Sequence, residues 1–220
     1  MKRVLIAGSS GMIGGLVLKN CLDRDDVAEV TSIVRKVSGI KHPKLTEVVH
    51  DDFLNFGSIE KYFNNQDVCF YCIGVYTGQV PKAVFTRITV DFTKAFAVML
   101  KRCSPGSVFC FLSGSGADSK ERSMILFARD KGKAENFLLG LAFRSTFIFR
   151  PGYIYPVTPR REPNFSYRVF RVLYKYILAF VFPSVGVTSV QLAEVMTSVG
   201  FNGGEKIIYE NEDIRKFKSR

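Results

Sequence analysis

Three glycines, spaced three residues apart, follow the first apolar stretch of this 220-residue chain. Val4 to Ala7 is an apolar run of strand length, and Gly8, Gly11 and Gly14 come next. From Leu16 to Cys21, apolar residues recur with helical spacing. A turn between a buried strand and a helix points the free N–H groups of the helix's first turn at an anion. The sequence therefore predicts a β-strand, a phosphate-binding turn and an α-helix.

Each glycine has a separate expected role in holding a dinucleotide. Gly8 permits the tight turn, Gly11 lets the backbone approach a diphosphate, and Gly14 allows the helix to pack closely on the strand. The spacing is G-x-x-G-x-x-G rather than G-x-G-x-x-G, so the prediction depends on the position of the loop between strand and helix. A structural turn without a ligand is the alternative. Expected to hold the phosphates and adenosine are Gly8, Ser10, Gly11, Met12 and Ile13.

Short apolar runs alternate with helical stretches such as Lys82 to Cys103 and Lys131 to Phe143. This pattern is typical of βαβ units and predicts an α/β fold with a doubly wound parallel sheet, in a single domain over residues 1–220. Four of the eight prolines fall between Pro151 and Pro163, which predicts a loop into a small C-terminal substrate lobe, residues 151–190. Further strands are predicted at Val30–Val34, Thr46–Val49, Val68–Ile73, Val108–Leu112 and Thr146–Phe149, and short helices at Gln191–Val199 and Ile214–Phe217.

The second predicted strand ends in two cations, Arg35 and Lys36. Sites that prefer NAD carry an acidic side chain in this region, which accepts from the ribose hydroxyl and would repel a 2′-phosphate. An arginine instead holds a phosphate through two parallel hydrogen bonds. The pair therefore predicts NADP(H) as the cofactor. Two solvated charges at a strand end are the alternative.

Two later strand ends supply the other expected cofactor contacts. Asp52 and Phe53 follow the third strand, where a carboxylate can accept from the adenine amino group and a ring can lie near the base. A cap or turn for the helix Ser58 to Phe63 explains Asp52 equally well. Cys72 and Gly74 end the fourth strand, and Gly74 leaves room for the cofactor's central ribose.

Composition limits the partners. The formal charge of +11 favours an anionic partner, but no helix-turn-helix, RNA-recognition or zinc signature accompanies it, so no nucleic-acid partner is predicted. Five cysteines and only four apolar residues before the first glycine predict reduced thiols and a cytoplasmic location. No transmembrane segment is predicted. His42 and His50 lack other ligands at metal-binding spacing, so no metal site is predicted.

A basic, aromatic stretch near residues 165–181 has the spacing of an amphipathic helix. We interpret it as a helix that packs over the substrate crevice with its charges in solvent. Docking on a membrane surface and docking in a partner protein's groove are the alternatives. The oligomeric state, monomer or homodimer, stays open.

Motifs along nearly the whole chain resemble those of the atypical short-chain dehydrogenase/reductases. The stretch Val68 to Gly78 and the Ser-Gly-Ala-Asp at Ser115 to Asp118 are most similar to the NmrA-like and Tat-interacting-protein-like group. The resemblance implies a Rossmann fold, a bound NAD(P) dinucleotide and either carbonyl reduction or cofactor-sensing regulation. The motifs are Gly8-Ser-Ser-Gly11-Met-Ile-Gly14, Arg35, Asp52, Cys72-Ile-Gly74, Val90-Asp91, Leu112-Ser113, Lys131-Gly-Lys-Ala-Glu135 and Arg150-Pro-Gly152.

In the catalytic members of this superfamily, a Tyr-x-x-x-Lys pair lies on the helix after the fifth strand. The lysine holds the nicotinamide ribose and lowers the pKa of the tyrosine, which exchanges a proton with the substrate. Here the lysine is Lys131, but the tyrosine position holds Phe127. Ser113 and Ser115 flank Gly114 where related chains often carry a serine pair, so either is a candidate to orient a substrate carbonyl. The resemblance therefore implies Lys131, Ser113 and Ser115 as catalytic candidates.

Phe127 leaves two functions open. Phenylalanine fills the volume of a tyrosine but has no proton to donate, and general acid catalysis is worth roughly 10²–10⁴-fold in rate. The first hypothesis is an NADP(H)-dependent oxidoreductase that reduces an unidentified carbonyl or quinone-like small molecule, with the proton from Tyr76, Tyr153, Tyr155 or solvent. The alternative is a non-catalytic NADP(H)-binding regulator or interaction protein.

Overall fold

The structure, a computed structural model, describes residues 1–157 and 186–218. The strands are β1 (Lys2–Ala7), β2 (Val27–Val34), β3 (Leu45–Val49), β4 (Val68–Tyr71), β5 (Val108–Leu112), β6 (Ser145–Arg150), β7 (Tyr153–Tyr155), β8 (Gly186–Thr188) and β9 (Ile208–Glu210). The helices are α1 (Met12–Leu22), α2 (Lys82–Thr86), α3 (Phe92–Cys103), α4 (Leu126–Gly140), α5 (Ser189–Asn202) and α6 (Asn211–Lys216). A 3₁₀-helical turn covers Gly57–Phe63, and a π-helical turn, Arg87–Asp91, joins α2 to α3.

Seven parallel strands form one sheet in the order β3-β2-β1-β4-β5-β6-β9. The chain builds outward from β1 in one direction and then returns to continue from β4 in the other. The predicted doubly wound parallel sheet is therefore confirmed. Ala7 and Tyr71 lie side by side at the carboxyl ends of β1 and β4, where the strand order reverses. Open α/β sheets bind their ligands at this place.

The side chains of β1 alternate between two hydrophobic clusters on opposite faces of the sheet. Val4 and Ile6 pack with residues of α1 and α5, whereas Leu5 and Ala7 pack with residues of α3 and α4. All four are fully buried. Burial of each valine, leucine or isoleucine side chain stabilises the fold by about 1.5–3 kcal/mol. Packing on both faces therefore fixes the position of the glycine turn that follows β1.

The C-terminal third differs most from the prediction. Beyond β6, the chain adds β9 at the sheet edge and a separate parallel pair, β7 and β8, none of which was predicted. Three-residue strands are too short to show a period of two, so their apolar pattern carries no signal. Helix α4 begins at Leu126, ahead of the predicted start at Lys131. The predicted helix near 165–181, and with it most of the predicted substrate lobe, lies outside the described residues.

Hydropathy along the helices also bears on membrane association. Within residues 1–157 and 186–218, no helix combines the length and the apolar character that crossing a bilayer requires.

The contact between α1 and the glycine turn tests this account of the first βα corner. A Cβ atom on Gly14 would lie 2.1 Å from the Gly8 carbonyl oxygen, and a backbone atom cannot move aside cheaply. We expect Gly14→Ala to lower the free energy of unfolding by at least about 2 kcal/mol. Gly140→Ala at the end of α4 is the matched control, because a Cβ there meets nothing within 4 Å. Equal urea midpoints for the two variants would show that a Cβ atom at position 14 fits against Gly8 without strain, which would contradict this prediction.

Candidate functional site

A cavity of about 320 Å³ opens at the carboxyl ends of β1 and β4. A larger cleft of about 580 Å³ lies beside α6 and the turn that leads into β9, at the amino end of that strand. Ligands of open parallel sheets bind at the carboxyl ends, so the smaller cavity is the candidate site. The predicted cofactor contacts in its wall are Gly8, Ser10, Gly11, Arg35, Phe53, Cys72 and Gly74.

The glycine turn lies directly against the end of β4. Gly8 has a φ of +89°, and a Cβ atom there would lie 2.7 Å from the carbonyl carbon of Cys72. Helix α1 follows Gly11 without a side-chain cap, so the N–H groups of its first turn stay free for an anion. Ser9, one residue into the turn, exchanges a 2.6 Å hydrogen bond with Ser32 of β2. Both hydroxyls are buried, so the turn is fastened to its neighbouring strand.

Met12 and Ile13 do not line the cavity. The Ile13 side chain is buried in the core against β1, because this face of α1 packs on the sheet. Contact between either residue and a phosphate would therefore go through the backbone N–H rather than the side chain.

The wall at the end of β2 is apolar except for one cation. Ile33 and Val34 line it, and Arg35 lies exposed at its rim. Lys36 is also exposed but lies outside the wall. An apolar slot with a guanidinium at its edge suits a flat base with a phosphate nearby.

Asp52 and Phe53, predicted together, have different surroundings. Phe53 lines the cavity and packs against Phe92, with 5.6 Å between ring centroids. The Asp52 carboxylate accepts a hydrogen bond from the Leu54 N–H at 3.1 Å and lies outside the wall. His50 Nε2 lies 2.7 Å from the Asp52 carbonyl oxygen. This geometry favours the turn interpretation of Asp52, and its adenine contact stays a prediction.

At the predicted catalytic end, the Phe127 ring fills the space that a side chain at position 114 would need. Phe127 lies in the first turn of α4, and a Cβ atom on Gly114 would be only 2.5 Å from its Cζ atom. The Phe127 ring also lies near that of Phe85, with 6.4 Å between centroids. A serine at position 114 would therefore displace this ring. The position of the usual proton donor is filled by hydrocarbon.

The two candidate serines face different environments. The Ser113 hydroxyl is buried and donates to the Glu135 carboxylate, so it is already used within the fold. Ser115 is exposed, and its N–H donates to the Pro151 carbonyl at 2.8 Å. The geometry favours Ser115 over Ser113 as a contact for a ligand.

The loop that carries Ser115 is fixed by Asp118, which the resemblance named but gave no role. Its carboxylate accepts from the N–H groups of Lys120, Arg122 and Ser123 at 2.7–2.9 Å. These backbone hydrogen bonds lower the pKa of Asp118. Gly132 lets the loop touch α4, since a Cβ there would lie 1.8 Å from the Asp118 carbonyl oxygen. The Ser-Gly-Ala-Asp motif thus has a structural basis.

Lys131 lies buried at the carboxyl ends of β4 and β5. Its Nζ donates to the Leu112 carbonyl at 3.1 Å and lies 4.9 Å from the centre of the Phe111 ring. Burial lowers the pKa of Lys131 to about 8, although the nearby Glu135 carboxylate and the Cys72 thiol act in the opposite direction. Cys72 itself lines the cavity, so the lysine lies just behind the cavity wall.

A partly buried ionic network that the sequence analysis did not single out supports this end of the sheet. Arg150 Nε contacts both Glu135 oxygens at 3.1 and 3.2 Å, and its Nη1 contacts Glu210 at 2.9 Å. Arg150 Nη2 donates to Ser119 at 2.8 Å and also to Glu135. The network joins α4, β6 and β9. Its only signals in the sequence were the Lys-x-x-x-Glu and Arg-Pro-Gly motifs of the resemblance.

Sequence comparison finds relatives over about two thirds of the chain. Protein HTATIP2 of Rattus norvegicus is 29% identical over 156 residues, which are 70% of this chain and 63% of the relative. Protein FMP52, mitochondrial, of Meyerozyma guilliermondii is 24% identical over 152 residues, 69% of this chain and 65% of the relative. The matched region is therefore less than two thirds of either relative's length. No family model matches the chain.

Solved structures share the fold over nearly the whole chain. An oxidoreductase of the short-chain dehydrogenase/reductase family from Burkholderia thailandensis superimposes with a TM-score of 0.71 at 13% identity, covering 97% of this chain and 93% of that one. The enzyme WbmH of Bordetella bronchiseptica, in complex with NAD+, gives a TM-score of 0.69 at 17% identity, covering 96% and 75%. The resemblance to the atypical short-chain dehydrogenase/reductases is confirmed.

Two features depart from the pattern that the resemblance implies for catalytic members. Phe127 stands in place of the tyrosine, and Gly114 stands between the two serines. The lysine is retained as Lys131. Among the described residues, no three or more His, Cys, Asp or Glu side chains converge as a metal site would require.

The burial of Lys131 predicts a pH-dependent stability. At pH 7 its ammonium is charged in a site that disfavours charge, so Lys131→Met should raise the free energy of unfolding by about 1–3 kcal/mol. Between about pH 8 and its ordinary pKa of 10.5, the unfolded chain binds this proton more than the folded chain does. The free energy of unfolding of the native chain therefore rises with pH over this range. The difference in this free energy between Lys131→Met and the native chain becomes smaller.

Urea unfolding between pH 7 and 10.5 measures this difference, with Lys133→Met, a partly exposed position on the same helix, as the control. A gap between native chain and Lys131→Met that stays constant over this range would contradict the assignment.

Proposed function

We propose that the chain binds NADP(H) in the cavity between β1 and β4 and uses it to reduce a carbonyl or quinone-like small molecule. The observation that carries the proposal is the free first turn of α1 behind the glycine turn, with Arg35 at the rim of the same cavity. The NAD+ bound to WbmH, which shares the fold, supports a dinucleotide as the ligand.

The residues present fit each part of the dinucleotide. The glycine turn presents amides where the diphosphate would lie, and the apolar wall of Ile33 and Val34 offers a slot for the adenine. Arg35 would pair with a 2′-phosphate. Lys131, next to Cys72 behind the wall, is the group to hold the nicotinamide ribose. When bound, the reduced cofactor would supply a hydride.

The apolar catalytic end favours an acceptor that is itself apolar and flat. Phe127 fills the space beside Gly114, and its ring lies near that of the buried Phe85. Met124 and Ile125, just before α4, are strongly exposed. Aromatic and aliphatic walls bind planar rings through buried apolar area. A quinone-like ring meets this requirement better than a small polar aldehyde.

A second function, a non-catalytic NADP(H)-binding regulator or interaction protein, draws support from one observation. Phe127 lacks the hydroxyl of the tyrosine that the standard mechanism uses, and its ring fills the space beside Gly114. Such a protein would keep the dinucleotide as a structural or redox-sensing ligand.

Location and assembly stay predictions. The cytoplasmic expectation rests on thiol use, whereas the fungal relatives are named as mitochondrial proteins. A monomer or homodimer, the lack of a nucleic-acid partner and the possibility of membrane-surface docking likewise stay predictions.

Arg35 should set the preference between the two nicotinamide dinucleotides. A charge-assisted hydrogen bond pair to phosphate is worth about 1.5–3 kcal/mol, so Arg35→Ala should weaken NADPH binding roughly 10- to 150-fold. NADH binding should change little, because NADH lacks the 2′-phosphate. Isothermal titration calorimetry with both cofactors measures this, with Lys41→Ala, an exposed cation farther along the same loop, as the control. Equal losses for NADPH and NADH would show that Arg35 does not contact the extra phosphate.

Turnover assays separate the two proposed functions. We expect NADPH oxidation by the native chain with quinones, and slower oxidation with aldehydes, because the acceptor wall is apolar. The matched variants are Phe127→Tyr, which restores the missing hydroxyl, and the double variant Gly114→Ser/Phe127→Tyr, which also adds a serine between Ser113 and Ser115. NADPH binding without turnover in the native chain, together with activity in a restored variant, would establish the regulator instead.

A further inference from the structure

The proposed reduction needs a proton, and the usual donor is missing. Phe127 has none to give, and the Ser113 hydroxyl is already donated to Glu135 inside the fold. Lys131 keeps exchangeable protons at this end of the sheet, next to Cys72 in the cavity wall. The question is whether its surroundings leave those protons available.

Glu135 would normally capture this lysine. The two residues are four positions apart on α4, the spacing at which opposite charges pair along a helix. Instead, both Glu135 oxygens are engaged elsewhere, because Arg150 contacts each of them and Ser113 donates to one. Lys131 Nζ turns to the Leu112 carbonyl at 3.1 Å. No ion pair between Lys131 and an acidic side chain is found among the described residues.

We propose that Lys131 donates the proton in the reduction, and that Arg150 and Ser113 act as positioning residues that keep Glu135 from pairing with it. This inference rests on the proposed function. The carbonyl carbon of the acceptor receives a hydride, with its electron pair, from the reduced dinucleotide, and the C=O π pair moves to oxygen. That oxygen forms an O–H bond as an N–H bond of Lys131 breaks and leaves its pair on nitrogen. The acceptor is reduced, the dinucleotide is oxidised, and solvent reprotonates the amine.

The electrostatics of the site agree with this assignment. Burial places the pKa of Lys131 at about 8, close to the pH at which a general acid is effective. Two other titratable groups influence it, Glu135 on its own helix and Cys72 at the end of β4. Burial raises the pKa of Cys72 to about 12, so the thiol stays neutral while the lysine titrates. Glu135 is therefore the charged group that opposes the effect of burial on the pKa of Lys131.

The first test reads the lysine directly, in the full chain without cofactor. Lysine labelled with ¹³C at Cε is titrated by NMR, and the resonance missing from Lys131→Met identifies the residue. Glu135→Gln should lower the pKa of Lys131 by about one unit, since a nearby opposite charge is lost. Ser113→Ala should raise it, because the Glu135 carboxylate loses one of the hydrogen bonds that offset its negative charge and so attracts the ammonium more strongly. Because Ser113→Ala keeps the Arg150–Glu135 pair, it still allows the effect of Glu135 on the Lys131 pKa to be measured if Glu135→Gln does not fold.

Glu121→Gln is the matched control, because Glu121 binds Asn136 on another side of α4 and its loss should leave the titration unchanged. An unchanged Lys131 titration in Ser113→Ala would overturn the positioning role of this network.

The second test reads the reaction. A proton donor must be protonated, so kcat with NADPH and a quinone should fall as pH rises through about 8. This alkaline limb should move with the NMR value, downward in Glu135→Gln and upward in Ser113→Ala. Lys131→Arg keeps a cation for the ribose but holds its proton too tightly, so it should retain NADPH binding and lose roughly 10²-fold or more in kcat.

Three results separate failure of this inference from failure of the proposed function. Turnover whose alkaline limb ignores the Lys131 titration, or near-native kcat in Lys131→Arg, overturns proton donation and leaves the reductase. NADPH binding without turnover for every acceptor overturns proton donation and favours the regulator. No measurable dinucleotide binding overturns the proposed function itself.

Discussion

The close contact between the glycine turn and the end of β4 is the constraint on which the candidate site depends. Gly8 approaches the Cys72 backbone so closely that any side chain would collide with it, and its positive φ turns the chain away from the sheet at that point. Helix α1 therefore starts directly above the place where the strand order reverses. Gly14 then lets the helix lie on Gly8 itself. A crevice with free amides follows from backbone packing and does not depend on any one polar side chain.

This corner was predictable because it is local. The apolar run, the glycines and the helix follow one another within about twenty residues of sequence. The long buried strands are likewise predictable from local sequence, because each is a continuous apolar run. The network of Glu135, Arg150 and Glu210 was not predictable from spacing, since its members come from three elements far apart in the sequence. Likewise, β9 is a strand because β6 offers an unpaired edge, and three residues carry no pattern of their own.

The same difference between local sequence features and contacts from distant elements explains which candidate site residues could be predicted. Gly8, Arg35 and Gly74 follow buried strands within one to three residues. The carboxyl ends of parallel strands meet at one edge, so the convergence of these residues followed from topology. The surroundings of Ser113 and Asp52 did not, because a serine or an aspartate satisfies its hydrogen bonds with whatever lies nearby in three dimensions. One hydroxyl is turned inward to Glu135 and one carboxylate is used in its own turn.

Gly114 and Phe127 are best understood as a pair. Considered separately, a glycine between two serines indicates a flexible position, and a phenylalanine in place of tyrosine indicates the loss of one hydroxyl. The structure shows that the ring fills the volume that a side chain at 114 would need. Close-packed interiors tolerate a change at one such position only when the other accommodates it. A serine at 114 needs the ring to move first, and a tyrosine hydroxyl at 127 would extend from Cζ, the ring atom nearest position 114. The two positions therefore have to change together.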